Sequence, residues 1–203
     1  FSQMVSSFKL ASSSPMIVGV NIVGQESVHV SMRDYAMHMR MYQFLKAKYP
    51  KVKLALHAGE LALGMVPPEG LTFHIRDAID VAGASRIGHG MDIAHESDAL
   101  GIMKKMRDRQ IPVEVNLSSN DFILGVKGAA HPVTLYRKYG VPFVLSTDDA
   151  GVSRNNLSGE FVLYAARYQP SYAEVKKLSY DSIRYSFLAD ADKQRLLKGL
   201  DGK

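Results

Sequence analysis

The sequence predicts an α/β fold in which short parallel strands alternate with helices. Five apolar, β-rich runs recur along the chain, and the segments between them repeat apolar residues at helical spacing. A spacing of roughly thirty residues between successive runs is typical of parallel βαβ units. No linker, low-complexity tract or charge block divides the sequence, so residues 1–203 are predicted to form a single domain.

The predicted strands are runs of aliphatic and β-branched residues that end at polar side chains. They cover residues 16–24, 52–59, 85–90, 111–119 and 141–149. The polar residues at their carboxyl ends are Asn21, Gln25, Glu26, His57, Glu60, His89, Asn116, Ser118, Ser119, Asn120, Asp148 and Asp149. Because parallel strands of one sheet end at the same edge, these side chains are expected to gather there.

The predicted helices fill the intervals between and after these strands. They cover residues 31–49, 73–81, 96–109, 130–139, 157–168 and 171–188. Ser171 and Glu174 have the spacing of a capping box, which predicts a helix start at that point.

Polar groups at the carboxyl ends of parallel strands form the active sites of (β/α)₈ barrels and the ligand crevices of open α/β sheets. No Gly-x-Gly-x-x-Gly motif follows the first strand, and no phosphate-binding Gly-Lys-Ser/Thr loop occurs, so the barrel is favoured over a nucleotide-binding sheet. Eight βα units usually need about 250 residues. Since five strands are predicted here, either three units are absent or the architecture differs.

Composition limits the chemistry and the partners. The chain has no cysteine, which excludes disulfides, thiolate metal sites and a cysteine nucleophile. No apolar run is long enough to cross a bilayer, and no signal peptide is apparent, so no membrane partner is expected and the compartment stays open between cytoplasm, periplasm and secretion. The net charge of +5 comes from dispersed Lys and Arg among acidic residues, so no nucleic-acid partner is expected.

Five strand-end residues stand out as candidates for chemistry: His57, Glu60, His89, Asp148 and Asp149. Singly, each has an ordinary structural explanation: a hydrogen-bonded histidine, a solvated loop carboxylate, or the N-cap of the next helix. Gathered at one sheet edge, two imidazoles and several carboxylates suit a divalent metal such as catalytic zinc, which uses three or four protein ligands.

A serine nucleophile is the competing interpretation. Ser118, Ser119 and Ser146 follow strands, but none lies in a Gly-x-Ser-x-Gly elbow.

An ordered set of motifs resembles the adenosine deaminase family of zinc-dependent barrels. The motifs are "HAGE" at 57–60, "RIGHG" at 86–90, "EVNLSSN" at 114–120, "HP" at 131–132, "GVPFVLSTDD" at 140–149 and "LSYDSIRYSFL" at 178–188. The resemblance extends from about residue 18 to residue 197. It implies the C-terminal five βα units of a (β/α)₈ TIM barrel of the metallo-dependent hydrolase type.

The resemblance also implies an activity: hydrolytic deamination of adenosine and 2′-deoxyadenosine to inosine and ammonia, with Zn²⁺ as cofactor. The implied zinc ligands are His57 and Asp148. Glu60 would protonate N1 of the purine, and His89 would orient the attacking water and take its proton. For substrate binding, Asp149 would bond N7 and the backbone amide of Gly24 would meet N3.

The chain departs from the family pattern in three places. Asn21 stands where Asp is usual, Ala150 where Pro is usual, and the His-x-His pair of the family's first strand is absent from these residues. A purine nucleoside and a complementary N-terminal segment are therefore the expected partners, and the chain alone is expected to be inactive. Deamination of adenine or AMP, and a non-catalytic binding protein derived from the barrel, are the alternatives.

Overall fold

Four short parallel strands form one sheet in the computed structural model, which describes residues 1–202. The strands are β1 (Ala55–Ala58), β2 (Arg86–His89), β3 (Val113–Val115) and β4 (Phe143–Leu145), and they lie side by side in chain order. Every neighbouring pair is parallel. The predicted alternation of parallel strands and helices is confirmed.

Ten α-helices surround the sheet in the part of the chain that the structure describes. They are α1 (Ser2–Ser13), α2 (His29–Lys48), α3 (His74–Asp80), α4 (Ala99–Asp108), α5 (Leu117–Leu124), α6 (Val133–Tyr139), α7 (Ala150–Ser153), α8 (Leu157–Tyr168), α9 (Tyr172–Arg184) and α10 (Asp190–Asp201). Among residues 1–202, no helix has both the length and the apolar character that crossing a bilayer requires.

The first predicted strand, residues 16–24, is reduced to a single parallel bridge between Val20 and Leu54. The physical reason is the side chain of Asn21. Its Oδ1 accepts hydrogen bonds from the backbone amides of Ile22, at 2.7 Å, and His57, at 3.1 Å. A side-chain oxygen thus takes the amide hydrogen of His57 that a longer strand would bond to a main-chain carbonyl.

The predicted strand at 111–119 is too long. β3 ends at Val115, and α5 begins at Leu117, so Ser118 and Ser119 are helical. The buried carboxylate of Glu160 accepts a hydrogen bond from the backbone amide of Ser118 at 3.2 Å, which satisfies a free donor of the first helical turn. This contact comes from α8 and cannot be read from the local sequence.

The two faces of the sheet differ in chemistry. One face is apolar and packs into the core, with Leu56, Ile87 and Val113 fully buried. The strand register places His57 beside Gly88, and Gly88 beside Glu114, on the opposite face. His57 and Glu114 therefore lie on the face of the sheet opposite the apolar core.

Candidate active site

The turn after β1 is held by a buried carboxylate. Glu26 accepts hydrogen bonds from the backbone amides of Gly59, at 2.8 Å, and Glu60, at 3.0 Å. Gly59 has φ +81°, and a Cβ there would lie 2.1 Å from Oδ1 of the buried Asp92. Only glycine fits this turn, which delivers the Glu60 side chain to the polar end of the sheet.

The predicted histidines meet at the end of β1 and β2. Nε2 of His57 lies 3.0 Å from Nε2 of His89. Strand alternation alone would point His89 to the same side as Ile87, because its partner in the register is Ala58 rather than His57. The backbone of His89 has φ +66°, a left-handed conformation that marks the end of the strand, and its ring turns toward His57.

Two carboxylates complete this group. Oε1 of Glu60 lies 3.4 Å from Nδ1 of His89, and Oδ2 of Asp148 lies 3.9 Å from Nε2 of His89. Asp148 also has a left-handed backbone, with φ +54°, and its Oδ2 accepts a 2.7 Å hydrogen bond from Oγ of Ser119. The start of α5 therefore orients the carboxylate that follows β4.

The donor atoms fit a divalent metal. Ligand atoms of His57, Glu60 and His89 all lie within 4.8 Å of one another, and Asp148 borders the same space. Nitrogen and oxygen donors without sulfur are the set that catalytic zinc and similar ions use. Of the two facing imidazole nitrogens, one donates the shared proton and the other accepts it with a lone pair, and a cation can replace the proton at that lone pair.

Burial dominates the electrostatics of the site. It raises the pKa of Glu60 to about 7, and the nearby carboxylates of Glu26 and Asp148 add to the rise. Burial lowers the pKa of His57 and lowers the pKa of His89 to about 4, in the second case with help from the neighbouring ring of His57. Near neutral pH the carboxyl of Glu60 is therefore available as a proton donor, and both imidazoles are neutral.

A second group of buried polar residues surrounds His89 on the side away from His57. The amide nitrogens of Asn116 and Asn120 lie 3.3 Å and 3.0 Å from Nδ1 of His89, and Nε2 of His131 lies 3.1 Å from Oδ1 of Asn120. All four side chains are buried. The sequence marked Asn116 and Asn120 only as polar strand ends, and "HP" only as part of a motif, so their contact with His89 was missed.

The two residues expected to bind the purine lie at the periphery. Asp149 is exposed and occupies the N-cap position of α7, as its structural explanation expects, but its side chain makes no capping hydrogen bond. Gly24 lies in an exposed loop with φ +151° and open space around its Cα. Among the described residues, no hydrogen bond joins Gly24 to His57 or His89.

A cavity of about 440 Å³ adjoins the carboxylate end of this group. Asp148 and Asp149 line one side, and the apolar side chains of Phe122, Ile123 and Val152 line the other. A larger cavity of about 740 Å³ lies elsewhere, between the start of β4 and α9, and contains none of the site residues.

Known proteins resemble this chain in sequence. The family model described as adenosine deaminase matches residues 2–203, nearly the whole chain. The chain belongs to the adenosine deaminase family. An adenosine deaminase from Haemophilus ducreyi is 33% identical over 182 residues, which cover 89% of this chain and 48% of that protein. An adenine deaminase from Rhizobium leguminosarum bv. trifolii is 30% identical over 188 residues, covering 92% of this chain and 53% of that protein.

Solved structures share the fold of this chain. An adenine deaminase from Arthrobacter aurescens superposes with a TM-score of 0.74 at 26% identity, covering 96% of this chain and 54% of that one. An amidohydrolase from Burkholderia ambifaria with bound Zn gives a TM-score of 0.76 at 18% identity, over 96% of this chain and 50% of that one. The chain thus spans about half the length of the adenosine deaminase family members that it matches.

Proposed function

We propose that the protein containing this chain hydrolyses the exocyclic amine of a purine nucleoside, with adenosine and 2′-deoxyadenosine as substrates and inosine-type nucleosides and ammonia as products. The observation that carries the proposal is the meeting of His57, Glu60, His89 and Asp148 at the carboxyl ends of adjacent parallel strands. That arrangement occurs in a chain that belongs to the adenosine deaminase family.

His57 and Asp148 are the proposed zinc ligands. A bound Zn²⁺ would supply an activated water at neutral pH. His57 would bind the ion through a ring nitrogen, and the hydrogen bond donated by Oγ of Ser119 holds the carboxylate of Asp148 in place. Support comes from the place of His57 in the cluster of donor atoms, from the 3.9 Å separation between Oδ2 of Asp148 and Nε2 of His89, and from the relative with bound Zn.

Glu60 and His89 are the proposed catalytic residues. With a pKa raised to about 7, Glu60 carries a proton over much of the neutral range and can donate it to N1 of the purine, which makes C6 more electrophilic. The ring of His89 faces the space between Glu60 and Asp148, where it orients the attacking water. Asp149 and the amide of Gly24 are the proposed contacts to N7 and N3.

A complementary N-terminal segment is the proposed partner of this half-barrel. β4 pairs with β3 on one side, and among the described residues no strand pairs with its other side. Phe143 and Leu145 are nonetheless buried, and parallel pairing leaves the backbone groups of alternate residues directed at the open edge. A further strand there would satisfy these groups and could bring the remaining metal ligands.

The test compares metal content and ammonia release in the protein that contains this chain. We expect about one zinc per molecule and release of ammonia from adenosine. In Glu60→Gln, zinc should remain while turnover falls by about 10² to 10⁴-fold, because the residue supplies a proton and no metal bond. The matched variant His57→Gln should lose both.

Three outcomes would contradict the proposal. Absence of ammonia release from every aminopurine tested would favour a binding protein, and loss of zinc from Glu60→Gln would make Glu60 a ligand. Tight stoichiometric zinc in the 203-residue chain alone would show that the site is not divided between two segments.

A second substrate class is favoured by specific relatives. The adenine deaminase already described is 30% identical, and a human N6-methyl-AMP deaminase is 30% identical over 90% of this chain. Adenine, AMP and N6-methyl-AMP therefore belong in the same ammonia or methylamine assay, and the substrate with the highest kcat/KM decides among them.

A further inference from the structure

A chain of buried hydrogen bonds runs from the start of α6 to His89. The backbone amide of Val133 donates to Nδ1 of His131 at 3.1 Å. Nε2 of His131 lies 3.1 Å from Oδ1 of Asn120, and Nδ2 of Asn120 lies 3.0 Å from Nδ1 of His89. His131 and Asn120 are fully buried, and His89 is 1% exposed, so no solvent competes for these bonds.

The backbone amide fixes the direction of the whole chain, because an amide N–H can only donate. Nδ1 of His131 must then be an acceptor, and the proton of its ring lies on Nε2. That N–H requires an acceptor, so the atom of Asn120 facing it is the carbonyl oxygen. The amide NH₂ of Asn120 is thereby directed at His89.

The opposite orientation of the Asn120 amide is excluded by the same count of protons. Its NH₂ would then donate to Nε2 of His131, whose Nδ1 already accepts from Val133. A neutral imidazole has only one lone pair for hydrogen bonding in its ring plane, so His131 cannot accept twice.

We propose that Asn120 and His131 are positioning residues that fix His89 as the tautomer with its proton on Nε2. The tautomer itself follows from the hydrogen bonds, and only the role of His89 toward the attacking water rests on the proposed function.

Three polar atoms lie near Nδ1 of His89: the amide nitrogens of Asn120 at 3.0 Å and Asn116 at 3.3 Å, and Oε1 of Glu60 at 3.4 Å. The single lone pair of Nδ1 accepts from Asn120, the nearest of them, and Nε2–H of His89 donates to Nε2 of His57 at 3.0 Å. In the metal-loaded protein His57 would bind the metal through this lone pair, and the N–H of His89 would then be free to donate to the oxygen of the attacking water.

The assignment changes the role of His89 in the reaction. A ring that presents N–H to the water orients an oxygen lone pair and stabilises negative charge on it. It does not accept the proton of the water, which is the role that the family resemblance implies for His89. A metal-bound water would have a pKa of about 7 and would release that proton to solvent before the attack. Such a fixed hydrogen bond to a catalytic imidazole is the usual means by which a protein selects one tautomer.

The direct test is ¹⁵N NMR of the intact protein labelled with ¹⁵N-histidine, because the ring nitrogens with and without a proton have distinct shifts. In metal-free wild type at pH 7.5 we expect His89 and His131 both to carry the proton on Nε2. Adding Zn²⁺ should shift the Nε2 signal of His57 and leave the tautomer of His89 unchanged. Finding His89 with its proton on Nδ1 in either state would overturn the assignment.

Asn120→Asp tests the relay itself with almost no change in shape. A carboxylate accepts on both sides, so His131 should keep its Nε2 proton while His89 moves its proton to Nδ1. In the same variant kcat should fall about 10 to 100-fold with a much smaller change in KM. The control is Asn156→Asp, the same chemical change at the N-cap of α8, which should alter neither the tautomer nor kcat.

The outcomes separate this inference from the proposed function. An enzyme that deaminates purines but shows His89 protonated on Nδ1 would disprove the relay and leave the activity intact. A protein with the assigned tautomer and no deaminase activity would disprove the activity alone. If Asn120→Asp does not fold, the wild-type spectrum still decides the assignment.

Discussion

Replacing His74 should reduce the loss of stability that the protein shows in acid by an amount that can be calculated from one pKa. The ring of His74 is fully buried, lies 4.3 Å from the ring centres of both Phe73 and Tyr35, and has no hydrogen-bond partner at either nitrogen. Burial lowers the pKa of His74 from 6.5 to about 4, and the backbone at Gly70 offsets this only in part. Charging the ring is therefore much easier in the unfolded chain.

The size of the effect follows from this pKa difference. For a histidine whose folded pKa is depressed, the stabilisation is complete above pH 6.5 and is lost as the pH falls toward 4. Between pH 7.5 and pH 5, the unfolded chain binds the extra proton and the free energy of unfolding drops by about 2 kcal/mol from this residue. His74→Phe keeps the aromatic contacts and cannot take the proton, so its drop over the same range should be about 2 kcal/mol smaller.

Urea unfolding at pH 7.5 and pH 5 measures this difference directly, since every other titrating group is common to both proteins. His29→Phe is the matched control, because His29 is exposed and its replacement should leave the drop unchanged. Equal drops in wild type and His74→Phe would refute the reasoning and would mean that His74 is solvated or paired in solution.

Two further substitutions test the structure around the site. Gly59→Ala should destabilise the protein by at least about 1 kcal/mol and reduce its zinc content, because φ is +81° and the added Cβ would lie 2.1 Å from Oδ1 of Asp92. Unchanged thermal unfolding and zinc content would contradict this expectation. Ser119→Ala should weaken zinc binding about 10 to 100-fold by releasing the carboxylate of Asp148, and calorimetric titration that finds equal affinity would show that the hydroxyl does not hold it.

Local sequence signals predicted the helix bounds correctly where hydrogen bonds between neighbouring residues fix them. The helix predicted at 157–168 has these bounds in the structure, with Asn156 accepting a hydrogen bond from the amide of Gly159. The helix start predicted from Ser171 and Glu174 is confirmed, since Ser171 is the N-cap of α9, but only one of the two hydrogen bonds of a capping box forms. Ser171 accepts from the amide of Glu174, but the Glu174 carboxylate bonds to Arg137 and Tyr164 instead of returning to the cap.

Tertiary contacts explain the elements that the sequence did not predict. The helix α1 contains one buried residue, Phe8, whose ring lies 5.9 Å from Tyr42 and 6.0 Å from Tyr49. No pattern within α1 indicates that contact. The same holds for the carboxylate of Glu160 at the start of α5 and for the side chain of Asn21 at the first predicted strand.

In the candidate site, too, the sequence predicted some residues and missed those that depend on tertiary contacts. The grouping of His57, Glu60, His89 and Asp148 follows from strand-end position and motif order, and the structure brings these four residues together. The residues that orient them could not be predicted, because the relay through Asn120 depends on where α5 and α6 lie in space. Strand-end position identified the reactive groups but not their hydrogen-bond partners.

The left-handed backbones at His89 and Asp148 lower the stability of the fold at two positions where the side chain is needed for the proposed activity. Each conformation favours glycine and costs an ordinary residue on the order of 1 kcal/mol. Selection for thermal stability alone would therefore drive Asp148 toward glycine, which relieves the strain and abolishes a proposed ligand. A thermostable variant of this protein should be sought elsewhere in the chain, and a library that recovers glycine at 148 would signal that selection for the proposed function has been lost.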